Sequence, residues 1–288
     1  MGLVMNKAAK LTIWMVILGL SASISCRRAA VVTPEVIAFT KPAVTLDAND
    51  KAWDDLSVHV SKLILQDLVD PRLMTPSTQE IQVKAITNGS EIAFRLEWLD
   101  DSQNDLPGPH HFMDGCAVQV PVVIDKNVPA PQMGETGKSV QISYWRSDWQ
   151  AIMDGRADNI ASLYPNSAPD HYPFDAKSLE KDPNAQKNMA LRYAPARALG
   201  NRREGPRDTP VEDLIAEGPG TLSPNPQPFS NGKGVKTKTG WAVVITRPVP
   251  AGLSTAAPSQ IAFAVWEGSH DEVGARKMRT GWVPLMMK

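Results

Sequence analysis

The 288-residue chain contains only two cysteines, Cys26 and Cys116. Two thiolates are too few for an iron–sulfur cluster held by four cysteines or for a four-cysteine zinc site. The sequence has no Cys-x-x-Cys-His, which excludes covalent attachment of a c-type haem. It also has no Gly-x-Gly-x-x-Gly and no Gly-x-Ser-x-Gly, so a dinucleotide site and a hydrolase nucleophile elbow are disfavoured.

The chain also lacks an excess of positive charge. Its 30 Lys and Arg residues are matched by 31 Asp and Glu residues, which leaves nothing to neutralise a phosphate backbone. We therefore expect no nucleic-acid partner. The apolar fraction of 42% is enough for a sizeable core, and the 24 prolines indicate many turns and loops.

The N-terminal residues have the order of a secretory signal. Lys7 and Lys10 precede the apolar run Leu11–Leu20, and small residues follow at Ser21–Ser25. The run is much shorter than the ~20 residues needed to span a bilayer. We expect a cleaved signal over residues 1–25 and export to the periplasm, with an uncleaved anchor as the alternative. Cys26 occupies the place of a lipoprotein's lipid-modified cysteine, so lipidation and membrane attachment there compete with ordinary cleavage.

The rest of the sequence predicts a mainly β protein. Apolar and polar residues alternate over 81–85 and 92–98 on either side of Asn88-Gly89, which predicts a β-hairpin. Further predicted strands are Cys116–Ile124, Ser139–Trp145, Trp241–Thr246, Gln260–Trp266 and Trp282–Met286. Several short strands separated by turn residues favour an antiparallel β sandwich, here a single domain over residues 40–288.

A long insertion interrupts this pattern. Residues 147–238 predict a mostly non-strand, partly helical excursion, which is uncommon in a compact sandwich and suggests a specific role. A helix is predicted near Asn184–Leu199 and a second one after Thr209. The second has Thr209 as a capping residue and Pro210 at the first helical position, and Gly218 ends it. Before the insertion, Leu106–Gly115 and Asn127–Lys138 read as loops.

Few residues suggest chemistry from pattern alone. His110 and His111 could bind a metal with Asp114, although solvated loop residues explain them as well. Cys116 reads as a buried, inert thiol. Met133 lies in a loop just before a strand, and its thioether is a soft ligand suited to low-spin haem iron. The pattern around Lys277, with Arg276 and Arg279 beside it, favours a solvated turn.

An ordered set of motifs nevertheless resembles one family, the haem b (gamma) subunits of periplasmic molybdenum enzymes related to dimethyl sulfoxide reductase, as in ethylbenzene dehydrogenase. The motifs cover most of residues 40–150 and 238–288. They are Leu46-Asp47 with Trp53; Asn88-Gly89-Ser90 leading to Phe94–Trp98; Asp114–Pro121; Met133-Gly134 followed by Val140, Ile142 and Trp145; Gly240-Trp241 with Arg247; Ile261–Gly268; and Gly274 with Lys277.

The resemblance implies a β sandwich that binds one haem b between a methionine and a lysine. By position these ligands are Met133 and Lys277. Met113 competes as the thioether, because it precedes the Asp-Gly-Cys motif. His270 could replace the lysine, and Lys236 and Lys238 are weaker candidates for the amine.

The resemblance also implies a non-catalytic electron-transfer subunit, which relays electrons between an iron–sulfur subunit, a molybdopterin catalytic subunit and a c-type cytochrome. Two other readings stay open. A carbohydrate-binding module could use tryptophans as stacking platforms, namely Trp53, Trp98, Trp145, Trp149, Trp241, Trp266 and Trp282. A surface lipoprotein could act only as a scaffold through the insertion 147–238.

Overall fold

The computed structural model describes residues 30–157, 160–166, 182–184, 188 and 207–288. Its strands are β1 (Val32–Thr33), β2 (Val36–Thr40), β3 (Val58–Lys62), β4 (Ile64–Leu65), β5 (Glu80–Thr87), β6 (Glu91–Leu99), β7 (Gly115–Pro121), β8 (Val140–Arg146), β9 (Val211–Ala216), β10 (Ser223–Pro224), β11 (Asn231–Lys236), β12 (Gly240–Pro248), β13 (Ser259–Trp266), β14 (Met278–Arg279) and β15 (Val283–Met287). Its helices are α1 (Ser147–Met153) and α2 (Ile160–Leu163), and Lys51–Trp53 and Gly268–His270 are 3₁₀ turns.

The strands form two layers that share β13. In the first layer the order is β11-β12-β6-β5. On the other side of β5, β3 pairs with its first half and β2 with its last three residues. In the second layer the order is β10-β9-β8-β7-β13, continued by β14 and β4. The first three residues of β13 pair with β15 and the following five pair with β7. The predicted β sandwich is confirmed, although three of its pairs are parallel rather than antiparallel.

The predicted hairpin is confirmed as β5 and β6. Val83 pairs with Leu96 and Ala85 with Phe94, so the alternating apolar residues lie on one face. Gly89 has a φ of 92°, which a residue with a Cβ rarely adopts and which the tight turn requires. The five other predicted strands also form, each within a few residues of its expected bounds.

The helix predicted after Thr209 is wrong, because residues 211–216 form strand β9. β9 completes the ladder along β8, with Leu214 opposite Ile142. The capping signals are local, and sheet pairing with apolar burial outweighs them. Thr209 accepts a hydrogen bond from the Val211 backbone at 3.3 Å but leads into a strand. The segment 147–238 also contributes β10 and β11. The predicted helix near 184–199 falls almost entirely outside the described residues.

The main core lies between the two layers. It joins residues of β5, β6 and β12 with residues of β7, β8 and β13. Of the seven tryptophans considered as sugar platforms, six are buried and Trp282 is half-buried. These six rings are at most 7% exposed, so they offer no stacking platform on the outer surface. No helix in the described part of the chain is long and apolar enough to cross a membrane.

Trp145 is the centre of an aromatic cluster in this core. Its ring lies 6.4 Å from that of Trp98 and 5.1 Å from that of Trp241, in edge-to-face arrangements. We expect Trp145→Ala to lower the free energy of unfolding by about 3–5 kcal/mol, because it leaves a cavity in a fully buried site. Denaturant unfolding measures this. Leu99→Ala is the control, since Leu99 is 70% exposed and its loss should cost no more than about 0.5 kcal/mol.

Candidate cofactor site

A cavity of about 370 Å³ lies on the face of the second layer that points away from the main core. Its floor is apolar and consists largely of small or branched side chains from four neighbouring strands, namely Ala117, Ile142, Leu214 and Ala264. The ring of Trp266 forms part of its wall. Its volume and apolar lining are those of a site for a small organic ligand or cofactor.

Met133 reaches this cavity from the loop between β7 and β8. Three hydrogen bonds fix the loop. The Trp282 indole donates to the Pro129 carbonyl at 2.6 Å, and the Gln119 amide donates to that of Pro131 at 3.0 Å. The Gly218 backbone donates to the Met133 carbonyl at 2.8 Å. Met133 itself has a φ of 69°, a left-handed conformation that is rare for a residue with a side chain. Such strain is found preferentially at binding sites.

Gly134 makes this turn sterically possible. Its φ is 83°, and a Cβ there would lie 2.8 Å from the Lys138 carbonyl oxygen and 3.0 Å from that of Ala216. We expect Gly134→Ala to lower the free energy of unfolding by about 1–3 kcal/mol, because it combines backbone strain with this clash. Gly137→Ala is the control in a denaturant titration, since Gly137 has a φ of 78° but open space around it. An equal loss in both variants would show that the contacts around Gly134 are unimportant.

Lys277 also lines the cavity, on the segment that leads into β14. The Gln66 backbone donates to the Lys277 carbonyl at 3.1 Å, and the Trp266 indole donates to that of Gly274 at 3.1 Å. The amine Nζ of Lys277 lies 4.9 Å from the centre of the Trp266 ring and 3.9 Å from the Met133 sulfur. Two residues separated by 144 positions therefore bring an amine and a thioether face to face.

The surroundings of Lys277 make its amine easier to deprotonate than that of a solvent-exposed lysine. Burial, together with the positive charge of Arg279, lowers the pKa of Lys277 to about 8. Only the neutral amine has a lone pair for a metal, so part of the cost of removing the proton is already met by the fold. A thioether is a soft ligand known at low-spin haem iron. This donor pair above an apolar floor fits an iron porphyrin.

The alternative ligands are placed differently. Met113 is buried and lines the same cavity, so it is still a competing thioether. His270 is exposed and is not among the residues that line the cavity. Lys236 donates to the Asp100 carbonyl and lies beside Trp241, away from the cavity, and Lys238 is exposed. Among the amine and imidazole candidates, only Lys277 reaches the cavity.

The other pattern-based candidates do not form sites of the expected kind. His110 and His111 are exposed, whereas Asp114 is fully buried and accepts from the Gly268 and Asn104 backbones and the Trp241 indole. The structure therefore does not bring the two histidines and Asp114 together. Cys116 is buried in the main core, and burial raises the pKa of its thiol, as expected of an inert cysteine.

One residue of the cavity wall was not predicted. Arg279, interpreted above as part of a solvated turn, is only 8% exposed and lines the cavity. Its Nε atom has no hydrogen-bond partner among the residues that the structure describes. Burial lowers the pKa of Arg279, and the carboxylate of Asp67 partly offsets this. The pairing of β14 with β13 buries Arg279. β14 is only two residues long, which is too short for an alternating pattern that would predict a strand.

The fold and this cavity define a β-sandwich protein with a candidate cofactor pocket on one sheet face. The family model described as ethylbenzene dehydrogenase matches residues 50–278, and the chain belongs to that family. A protein named respiratory nitrate reductase heme subunit, from Haloferax mediterranei, is 25% identical over 74% of this chain and 57% of its own length. The chlorate reductase subunit gamma of Ideonella dechloratans is 24% identical over 69% of this chain and 60% of its own length.

The chain thus spans less than two thirds of either relative. Among solved structures, a carbohydrate binding module family 9 from Caldicellulosiruptor kristjanssonii in complex with cellotriose aligns with a TM-score of 0.43 and 8% sequence identity. The alignment covers 88% of this chain and 93% of that module. The same module in complex with glucose aligns with a TM-score of 0.36 and 8% identity, over 88% of this chain and 95% of the module. Neither score bears on the function.

Proposed function

We propose that the chain binds one haem b between Met133 and Lys277 and transfers single electrons as a subunit of a molybdenum-enzyme complex. The observation that carries this proposal is the 3.9 Å distance between the Lys277 amine and the Met133 sulfur, both of which line an apolar cavity. The names of the relatives, a heme subunit and a gamma subunit of two reductases, support it. A haem bound there supplies one-electron redox chemistry.

The residues of the chain hold and shield the cofactor. Met133 and Lys277 would hold the haem iron with a thioether and an amine, which would leave no iron position for oxygen or substrate. The loop around Met133 is anchored to Gln119 and Trp282, which would help to hold the sulfur in place for the iron. Ala117 and Ala264 leave room on the sheet face, and the apolar floor excludes water. The role is accordingly electron transfer without catalysis.

The partners proposed for the complex are an iron–sulfur subunit, a molybdopterin catalytic subunit and a c-type cytochrome.

We also propose export to the periplasm through the signal in residues 1–25, with Cys26 as the site of lipid attachment. These residues lie outside the described part of the chain. Both proposals follow from the order of charged, apolar and small residues in the sequence and from the resemblance to periplasmic subunits.

Redox cycling of the haem-loaded chain tests the function. We expect reversible one-electron reduction, reoxidation by an added c-type cytochrome, and no change in the spectrum of the reduced protein under carbon monoxide, because both axial positions are filled. Rapid carbon monoxide binding to the reduced wild-type protein would contradict the proposal. So would a folded, haem-loaded protein that the cytochrome leaves reduced.

A further inference from the structure

A second group of polar side chains lies at the ends of three strands and takes no part in the cofactor cavity's ligand pair. Asp100 directly follows β6, Asp114 directly precedes β7, and Glu267 directly follows β13. All three residues are buried, and each offers a carboxylate oxygen within 4.8 Å of the others. Buried carboxylates this close together are unfavourable unless a bound proton or a cation compensates their charge.

Asp100 is the least satisfied of the three. Its side chain has no exposed area, and its Oδ2 atom accepts no hydrogen bond from any residue in the described part of the chain. The ammonium group of Lys236 lies 3.9 Å from the other oxygen, Oδ1, and donates its hydrogen bond to the Asp100 backbone carbonyl instead. Asp100, which belongs to the cluster with Asp114 and Glu267, therefore has one fully buried oxygen without a hydrogen-bond donor.

Two further oxygens converge on the same point. The hydroxyl of Ser102 lies 3.2 Å from Asp100 Oδ1 and 3.4 Å from Glu267 Oε1, and it also contacts the side-chain oxygen of Asn104. A hydroxyl has a single proton, so it can donate to only one of these three acceptors. Backbone N–H groups of Ser102, Ser269, Asn104 and Gly268 donate to the three carboxylates, but none of them reaches Asp100 Oδ2. The buried oxygen that is left over, beside further side-chain oxygens, is what a bound cation would satisfy.

The order of the ligands along the chain agrees with this. Asp100, Ser102 and Asn104 are each two residues apart. The first three oxygen ligands of EF-hand Ca²⁺-binding loops have the same spacing. All candidate ligand atoms are oxygens, which suits hard cations and not zinc or copper. Calcium accepts flexible sets of six to eight oxygens, whereas magnesium requires near-ideal octahedral geometry.

We propose that Asp100, Asp114 and Glu267, with Ser102 and Asn104, bind one Ca²⁺ ion. The ion would connect the end of β6 in the first layer with β7 and β13 in the second. Gly268 permits the close packing, because a Cβ there would lie 2.2 Å from the Phe112 carbonyl oxygen. Glu267 also begins the segment that carries Lys277, so bound calcium would stabilise one wall of the cofactor cavity without being part of it.

Calcium binding to the full chain, prepared without haem, tests this independently of the proposed function. After chelation, we expect the wild-type protein to bind one Ca²⁺ in equilibrium dialysis and its Tm to rise by about 3 °C or more at saturation. Asp100→Asn and Glu267→Gln should abolish the rise. Their Tm in chelator should not fall below that of the wild type, because each removes a buried like charge. Asp101→Asn, at an exposed neighbour, should respond like the wild type.

A second measurement needs no variant. Terbium(III) replaces calcium in oxygen sites and emits when a nearby indole is excited, and the Trp241 indole donates to Asp114 at 3.0 Å. We expect sensitised emission from the wild-type protein that one equivalent of Ca²⁺ displaces. Folded wild-type protein that takes up no calcium, terbium emission that calcium leaves unchanged, or full calcium uptake by Asp100→Asn and Glu267→Gln would each overturn the proposal.

Discussion

Replacing Lys277 or Met133 by alanine is expected to convert a low-spin haem spectrum into a high-spin one. Each side chain supplies one axial ligand in the proposed site, and the two donor atoms already lie 3.9 Å apart. Loss of Lys277 leaves the iron with one protein ligand, because no other amine among the alternatives considered reaches the cavity. Loss of Met133 does the same if Met133, and not Met113 in the same cavity, is the thioether ligand. Visible absorption spectra of the oxidised and reduced variants, beside the wild type, measure this change.

Met113→Ala is the matched control for these variants. Met113 lines the same cavity and is buried, so its loss should alter packing without changing the spin state. A low-spin spectrum in Met133→Ala together with a high-spin one in Met113→Ala would reassign the thioether. Low-spin spectra in all variants, Lys277→Ala included, would remove both proposed ligands.

Filling the cavity floor is expected to abolish haem binding almost completely. Ala264 on β13 pairs with Ala117 on β7, and both line the cavity. A phenylalanine at position 264 would place its ring in the space that the cofactor needs, on a face away from the main core. We therefore expect Ala264→Phe to fold with near-wild-type stability but to contain little haem, as measured by the haem content per chain after reconstitution.

The control is Ala264→Ser, which keeps the small volume and should bind haem like the wild type. Unfolding curves of both variants separate a blocked cavity from a damaged fold. If Ala264→Phe carries a full complement of haem with an unchanged spectrum, the cofactor does not occupy this cavity, whatever its ligands are.

Local periodicity predicted much of the sheet. The hairpin of β5 and β6 has a period of two residues and a turn that needs the φ of Gly89, so both signals agree within twenty residues. β9 shows the opposite case. Thr209, Pro210 and Gly218 together resemble helix boundaries, and only the open edge of β8, which is distant in sequence, decides that the segment is a strand.

The candidate site was harder to predict than the fold. Nothing in the local sequence of Met133 or Lys277 shows that they meet, because the loop is positioned by Gln119 and Trp282 and the lysine by Gln66. The resemblance to the family suggested the pair, and the pattern alone favoured a solvated turn at Lys277. The buried carboxylates lie on three separate segments, so their convergence follows only from the ends of β6, β7 and β13.

X-ray absorption at the iron edge tests the central claim most directly, because it reports the atoms bound to the metal. Haem-loaded wild-type protein is predicted to show one sulfur and five nitrogen neighbours, four from the porphyrin and one from Lys277. Met133→Leu, which keeps the apolar volume, should lose the sulfur. A nitrogen-only shell in the wild type, or folded protein that takes up no haem, would contradict the account.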